Sequence, residues 1–262
     1  MSTMTYAVLD STTMLRRNLK HMQRYPSLTL MLIGQPVLFL LLFVYVFGGT
    51  MGAGLPGGEG RADYLDYISP AILIITVASV ALSTAIYVAK DSTEGIIDRF
   101  KTMPIAKASV LTGHVLAALV QTAVALAVVL TIAVLLGYRP DATGVEWLGT
   151  LGVLILLAVA LTWLCVALGL AAGSVEAASN TPMILVLLPF VSSAFVPTGS
   201  MPAGLAWFAE NQPFTPVIDT IRDFLAGRDP GADLWLAIGW CVVITALSYA
   251  WARRLLSKVR AG

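Results

Sequence analysis

Ionisable side chains are scarce in this sequence. Lysine and arginine number 16 and aspartate and glutamate 15 among 262 residues, so 12% of the chain is charged while 58% is hydrophobic. A mean hydropathy of +0.84 leaves too little polar surface to cover a water-soluble domain, so composition alone implies an integral membrane protein. The scarcity is also uneven. Six long apolar runs hold no Asp, Glu, Lys, Arg or His, whereas proton-coupled carriers and charge-relay pumps need an ionisable group at depth. The two cysteines, Cys165 and Cys241, fall inside apolar runs, which excludes a disulfide framework and a cysteine metal site. No HExxH or Gly-x-Ser-x-Gly occurs, so an intramembrane hydrolase has nothing to work with. The glycine-rich stretch after residue 47 lacks the Gly-Lys-Ser/Thr ending of a phosphate-binding loop, and no Walker A sequence is found elsewhere. This chain therefore carries no P-loop ATPase, and with a net charge of +1 nothing points to nucleic acid.

The apolar runs cover 28–47, 68–89, 115–136, 148–172, 181–196 and 234–252. The first matches a hydrocarbon core of about 30 Å at about 1.5 Å per residue, and no Ala-x-Ala cleavage pattern follows it. The second carries Ser79, Ser83 and Thr84 among Ala78, Ala81 and Ala85, small residues that let helices approach closely. The fifth is short for a crossing and is interrupted by Pro189. Beyond it, 197–231 sets apolar positions at helical spacing between prolines, the pattern of a re-entrant or surface-lying helical hairpin that must pack on the bundle. Ahead of the first run, 9–25 places Leu15, Leu19 and Met22 on one face with Arg16, Arg17, Lys20 and Arg24 around them, an interfacial amphipathic helix among lipid headgroups. His21 and His114 read as surface or interfacial residues.

The segment 90–107 differs from its surroundings. Ile96, Ile97, Phe100 and Met103 recur on one helical face, Glu94, Asp98, Arg99 and Lys101 fall largely elsewhere, and Pro104 ends the pattern. Such a helix lies on a bilayer or docks in a groove on a partner, and its mixed charge favours the partner. Twelve of the sixteen Lys and Arg residues lie in the N-terminal segment, in 90–107 and in the C-terminal tail, which by the positive-inside bias places both termini and 90–107 in the cytoplasm and 197–231 outside.

The order of basic helix, span, loop and span, followed by Glu94-Gly95-Ile96-Ile97-Asp98-Arg99-Phe100 and Met103-Pro104-Ile105, resembles the permease subunit of type-2 ABC exporters, including daunorubicin-type drug efflux permeases. The stretch 190–197, then Met201-Pro202, Asn211-Gln212-Pro213 and Asp219 to Arg222, resembles the same family's fifth-span and external-loop pattern. The resemblance covers nearly the whole chain. It implies a single permease domain over 1–262: an all-α integral membrane protein of six transmembrane helices, with an N-terminal interfacial helix, a cytoplasmic coupling helix and an external re-entrant hairpin. It implies that Asp91, Glu94, Gly95, Ile96, Ile97, Arg99, Phe100, Met103 and Pro104 form the contact with a separate P-loop ATP-binding subunit, two copies per complex, which would hold ATP and magnesium. No cofactor is expected on this chain. A second permease, identical or homologous, would complete a path bordered by the second and fifth spans, with Ser79, Ser83, Phe190, Ser192 and Phe195 as its lining. Export by alternating access across the cell membrane follows from the resemblance, and uncharged cores with hydroxyl and aromatic groups suit an amphipathic drug or lipid-like cargo. A secondary carrier or channel, or a non-transporting scaffold, is the alternative.

Overall fold

The computed structural model describes residues 12–18, 26–55, 60–102 and 107–258. Residues 12–18 form a short helix, α1. The first apolar run is α2 (Pro26–Leu42), a π turn (Phe43–Phe47) and α3 (Gly48–Ala53), followed by α4 (Arg61–Thr93), α5 (Ile96–Thr102), α6 (Lys107–Leu135) and α7 (Gly144–Ala171). Then come α8 (Val175–Asn180), α9 (Met183–Leu187), a 3-10 turn (Leu188–Val191), another (Thr198–Ser200), α10 (Ala203–Asn211), α11 (Phe214–Leu225) and α12 (Ala232–Lys258). The described residues contain no strand.

Among the described residues five helices are long and apolar enough to cross a membrane: Leu32–Ala53, Arg61–Thr93, Ser109–Leu135, Gly144–Ala171 and Ala232–Ser257. The run expected at 181–196 is not one continuous helix. It divides among α9, the 3-10 turn and the irregular stretch after Val191, because a proline at 189 supplies no N–H and its ring collides with the preceding turn. The 9–25 helix is described only over 12–18, where Met14 is buried.

α4 is the axis of the bundle. Of its most apolar window 83% is buried, against 17% for α12 and 22% for the first span, so α4 is sheathed by protein while α12 presents Trp235, Trp240, Leu247 and Trp251 outward. Its 33 residues reach about 50 Å, well beyond a hydrocarbon slab, and so carry the charged Lys90 and Asp91 as part of the same helix. Within lipid the hydrophobic effect does not drive helices together; close packing does. Ala78, Ala81 and Ala85 provide a small-residue face on α4, all at most 1% exposed. On α7, a Cβ built at Gly169 would lie 2.5 Å from the carbonyl oxygen of Ala85 and 3.1 Å from Cβ of Val88. α4 and α7 touch backbone to backbone there.

The ends of these helices are written locally. Thr143 caps α7, its hydroxyl accepting from the Glu146 N–H, while the Glu146 carboxylate accepts from the Thr143 N–H at 2.6 Å. α4 stops at Gly95, whose φ of +69° is the left-handed conformation that closes a helix and that other residues resist. The hairpin of α10 and α11 is firmly docked. Phe214, Val217, Ile218, Ile221 and Leu225 recur at helical spacing and are all at most 3% exposed, packed on α12, α7 and α4.

The backbone contact at Gly169 predicts that Gly169→Val forces α4 and α7 apart and costs about 1–3 kcal/mol or more, as overpacking does. Gly152→Ala on the same helix meets nothing within 4 Å and leaves stability unchanged. Thermal unfolding of the two purified variants in detergent checks the contrast.

Candidate functional site

Two polar assemblies lie at opposite ends of α4. At its C-terminal end, Asp91 is buried to 8% exposure and its carboxylate accepts a charged bond from Arg17 of α1 and lies 3.2 Å from Nε2 of His114 on α6. Three elements thus converge on one carboxylate. A buried charge persists only when paired and hydrogen-bonded, and Arg17 and His114 meet that requirement from either side. Of the residues expected at the coupling contact, Asp91 therefore points into this chain's own bundle. His114, expected at the interface, lies within α6 at 6% exposure.

The turn that follows is divided. Ile97 is 3% exposed and packs with Val88, Leu111, Val115, Trp163 and Val166, so it anchors α5 to α4, α6 and α7. Glu94 and Arg99 are exposed and Ile96 is half-buried. Glu94 lies 4.0 Å from Lys90 one turn earlier, and Gly95 supplies the reversal that presents α5 across the end of the bundle. Phe100 belongs to α5, and Met103 and Pro104 lie outside the described residues.

At the other end, the broken segment after Pro189 is held by side chains. Gln212 donates its amide to the carbonyl of Val191. The carbonyl of Ser193 accepts from the Tyr67 hydroxyl at 2.8 Å and from Nη2 of Arg222 at 2.8 Å, while the Ser193 hydroxyl donates to Asp219 at 2.8 Å. Asp219 also pairs with Arg222, whose guanidinium lies 4.1 Å over the ring of Tyr67. Burial holds the Asp219 carboxyl above the usual carboxylate range, against the opposing pull of Arg222 and of the Ser193 hydroxyl. Ser192 is fully buried, donating to the Pro189 carbonyl and accepting from the Ala194 N–H at 3.1 Å. This clamp positions an aromatic cluster: Phe190 and Phe195 stack with centroids 4.6 Å apart, Phe43 lies 4.6 Å from Phe195, and Phe39 meets Phe190 edge-on at 5.6 Å.

The structure thus brings Phe190, Ser192 and Phe195 together and leaves Ser79 and Ser83 apart from them, inside α4 at 1% and 6% exposure. Ser83 donates to the Val80 carbonyl, and the Ser79 hydroxyl has no partner among the described residues. A polar cavity of about 390 Å³ opens beside the clamp, bounded by Asp63, Asp66, Tyr138, Arg139 and Arg222. Three residues of these assemblies carry no pattern that points to a site: Arg17 counts among headgroup-facing cations, His114 lies at a span's entrance, and Tyr67 stands in a connection. Their only sequence signal is a hydrogen-bonding group beside a long apolar run.

Comparison with known proteins covers both ends and the bundle between them. Residues 11–225 match the family described as ABC-2 type transporter. The chain is 28% identical over 247 residues to a daunorubicin resistance ABC transporter permease, DrrB1, of Streptomyces coeruleorubidus, covering 92% of this chain and 85% of that protein. It is 25% identical over 218 residues to a probable doxorubicin resistance ABC transporter permease, DrrC, of Mycobacterium tuberculosis (strain CDC 1551 / Oshkosh), covering 79% of this chain and 75% of that one. An all-helical bundle with five membrane-length apolar helices, matched to that family over most of its length, belongs to the ABC-2 type transporters and is a multi-pass membrane permease.

Proposed function

We propose that this chain is the transmembrane subunit of an ATP-driven exporter that moves an amphipathic, drug-like or lipid-like substrate out of the cell by alternating access. The observation that carries the reading is the continuity of α4. One buried helix runs from Tyr67, in the clamp behind the aromatic cluster, to Asp91 and the exposed turn at Glu94. A displacement imposed on that turn is delivered to the far end of the bundle with little loss, since a packed helix moves as a body.

In this scheme a separate P-loop subunit holds ATP and magnesium and engages Glu94, Ile96 and Arg99 directly. Asp91 and Ile97 support that surface from behind, joined by Gly95, Phe100, Met103 and Pro104. Two such subunits and a second permease, identical or homologous, complete the transporter. The broken run from α9 to Phe195 serves as a sixth, interrupted span, so both termini and the Glu94 turn face the cytoplasm and the α10–α11 hairpin faces outward. Phe190, Ser192 and Phe195 border the path near its outer end, and Ser79 and Ser83 join it when α4 moves away from its neighbours. The drug-resistance names of the relatives support an amphipathic cargo.

Three outcomes follow from this arrangement. Cys165 and Cys241 are buried, at 0% and 1% exposure, and stay silent toward an impermeant maleimide. Thr93→Cys then labels only from the cytoplasmic side and Ser200→Cys only from outside; labelling of both from one side rejects the orientation. Charge reversal of the exposed turn, Arg99→Glu, weakens association with the ATPase by about 1 kcal/mol, the scale of an exposed pair. Co-purification of the ATPase with that variant measures it, and unchanged association at every salt concentration removes the turn from the interface. Arg222→Ala leaves the Ser193 carbonyl and Asp219 short of a charged donor, a loss of about 1.5–3 kcal/mol. Transport into vesicles falls severalfold while ATPase association stays at the wild-type level.

A further inference from the structure

Between α1, α4 and α6 lies a cavity of about 220 Å³ that the transport reading does not use. Its mouth is formed by Arg17, Lys90, Asp91, Glu94 and His114, and its inner end by Thr84 and Gln121. Gln121 is 5% exposed, on a helix apolar around it but for Thr122, and its amide nitrogen has no partner among the described residues. A buried N–H donor without an acceptor is costly, and a donor lining an open cavity marks where an acceptor belongs.

The charges at the mouth narrow the choice. The carboxylate of Asp91 is taken up by Arg17 and His114, which leaves it little power to repel an anion. Among the described residues Lys90 pairs with Glu94, at 4.0 Å, with both side chains about half exposed. The mouth thus sets two cationic donors, Arg17 and Lys90, beside two carboxylates that each already face a cation. Gln121 is seven residues deeper along α6 than His114, about 10 Å of helix rise, but helical side chains lean toward the N-terminus and bring its amide back toward the mouth. Between them Ala117 and Ala118 leave the wall smooth and apolar. A ligand matched to this ladder carries an anionic oxygen group at one level and an uncharged carbonyl acceptor several ångströms deeper, on a body that tolerates hydrocarbon.

We propose that the cavity holds the head of a membrane glycerophospholipid, its phosphate beside Arg17 and Lys90 and an ester carbonyl accepting from the Gln121 amide. The bound lipid fastens α1 to α4 and α6 beside the Asp91 pairing. The cavity shares Asp91 and Glu94 with the proposed ATPase contact, but lipid retention by the isolated permease is measured without ATPase or cargo, so the two readings fail separately.

The full-length permease, stripped of lipid in detergent, is exposed to vesicles of phosphatidylglycerol, of phosphatidylcholine, or of phosphatidylcholine carrying diacylglycerol, and retained lipid is counted by native mass spectrometry. Wild type keeps one phospholipid of either kind per chain and no diacylglycerol, and an excess of inorganic phosphate does not displace it. Gln121→Leu loses one hydrogen bond to the ligand and none within the protein, so it keeps the wild-type melting temperature after delipidation and retains phospholipid about tenfold more weakly. Gln121→Met serves the same purpose if the leucine variant does not fold. Lys90→Gln weakens both phospholipids alike. Equal retention by wild type and the Gln121 variants, or retention of diacylglycerol as readily as phospholipid, overturns the proposal. Displacement by inorganic phosphate overturns it too, showing a small-anion site.

Discussion

Everything at the Arg222 end follows from one constraint: backbone that leaves a helix inside a nonpolar layer must still place its carbonyls and N–H groups in hydrogen bonds. Pro189 breaks the helix, and Val191, Ser193 and Ala194 then lack the partners that a regular turn provides. The protein answers with side chains from three other elements. Tyr67 reaches from α4, Gln212 from the α10–α11 junction, and Asp219 and Arg222 from α11. The docking of α11 by its apolar face is thus a precondition of the break, since an undocked α11 would withdraw Arg222 from the Ser193 carbonyl. The aromatic stack of Phe190 on Phe195 inherits its position from that clamp.

The Asp91 end meets the same requirement with charge instead of backbone. A lone carboxylate at 8% exposure would be too costly to keep ionised, so its two partners are recruited from α1 and α6, and α1 gains a fixed place on the bundle. Breaking this triad by removing one partner is costlier than never having built it, because the remaining charge stays buried. That asymmetry makes Asp91 a joint rather than an outward contact. Just past it, Gly95 turns the chain, and Glu94 and Arg99 are exposed.

Much of this architecture was legible in the sequence. Runs of twenty or more uncharged residues could only be helices, the fifth run announced its break through Pro189, and α11 declared its buried face through the spacing of Val217, Ile221 and Leu225. The family pattern pointed to 94–99 and 190–195, which the structure places in the turn and helix after α4 and in the broken stretch that carries the aromatic pair. What stayed hidden was pairing across distance. Nothing in the spacing of Arg17, Asp91 and His114 says that they meet, because the contact depends on how α1 lies against the bundle, and hydropathy reports only the period of each helix. The length of α4 was likewise underestimated, since Lys90 and Asp91 look like the start of a loop until the Asp91 carboxylate is seen to pair with Arg17 and to lie beside His114.

The two polar assemblies differ in a way that fits a moving part. The Arg222 clamp is made largely of bonds to backbone carbonyls, which fix a shape, whereas the Asp91 joint is made of side chains from separate helices, which can slide and re-pair. α4 connects them through a stretch where Ala78, Ala81 and Ala85 replace bulky side chains and where Gly169 of α7 lies against its backbone. Small residues at such a contact allow close approach without interlocking, so α4 can shift along α7 while side chains near its ends keep their partners. On the proposed transport reading, a push at the Glu94 turn would meet the Asp91 joint first, the small-residue shaft next and, last, the clamp that carries the aromatic pair.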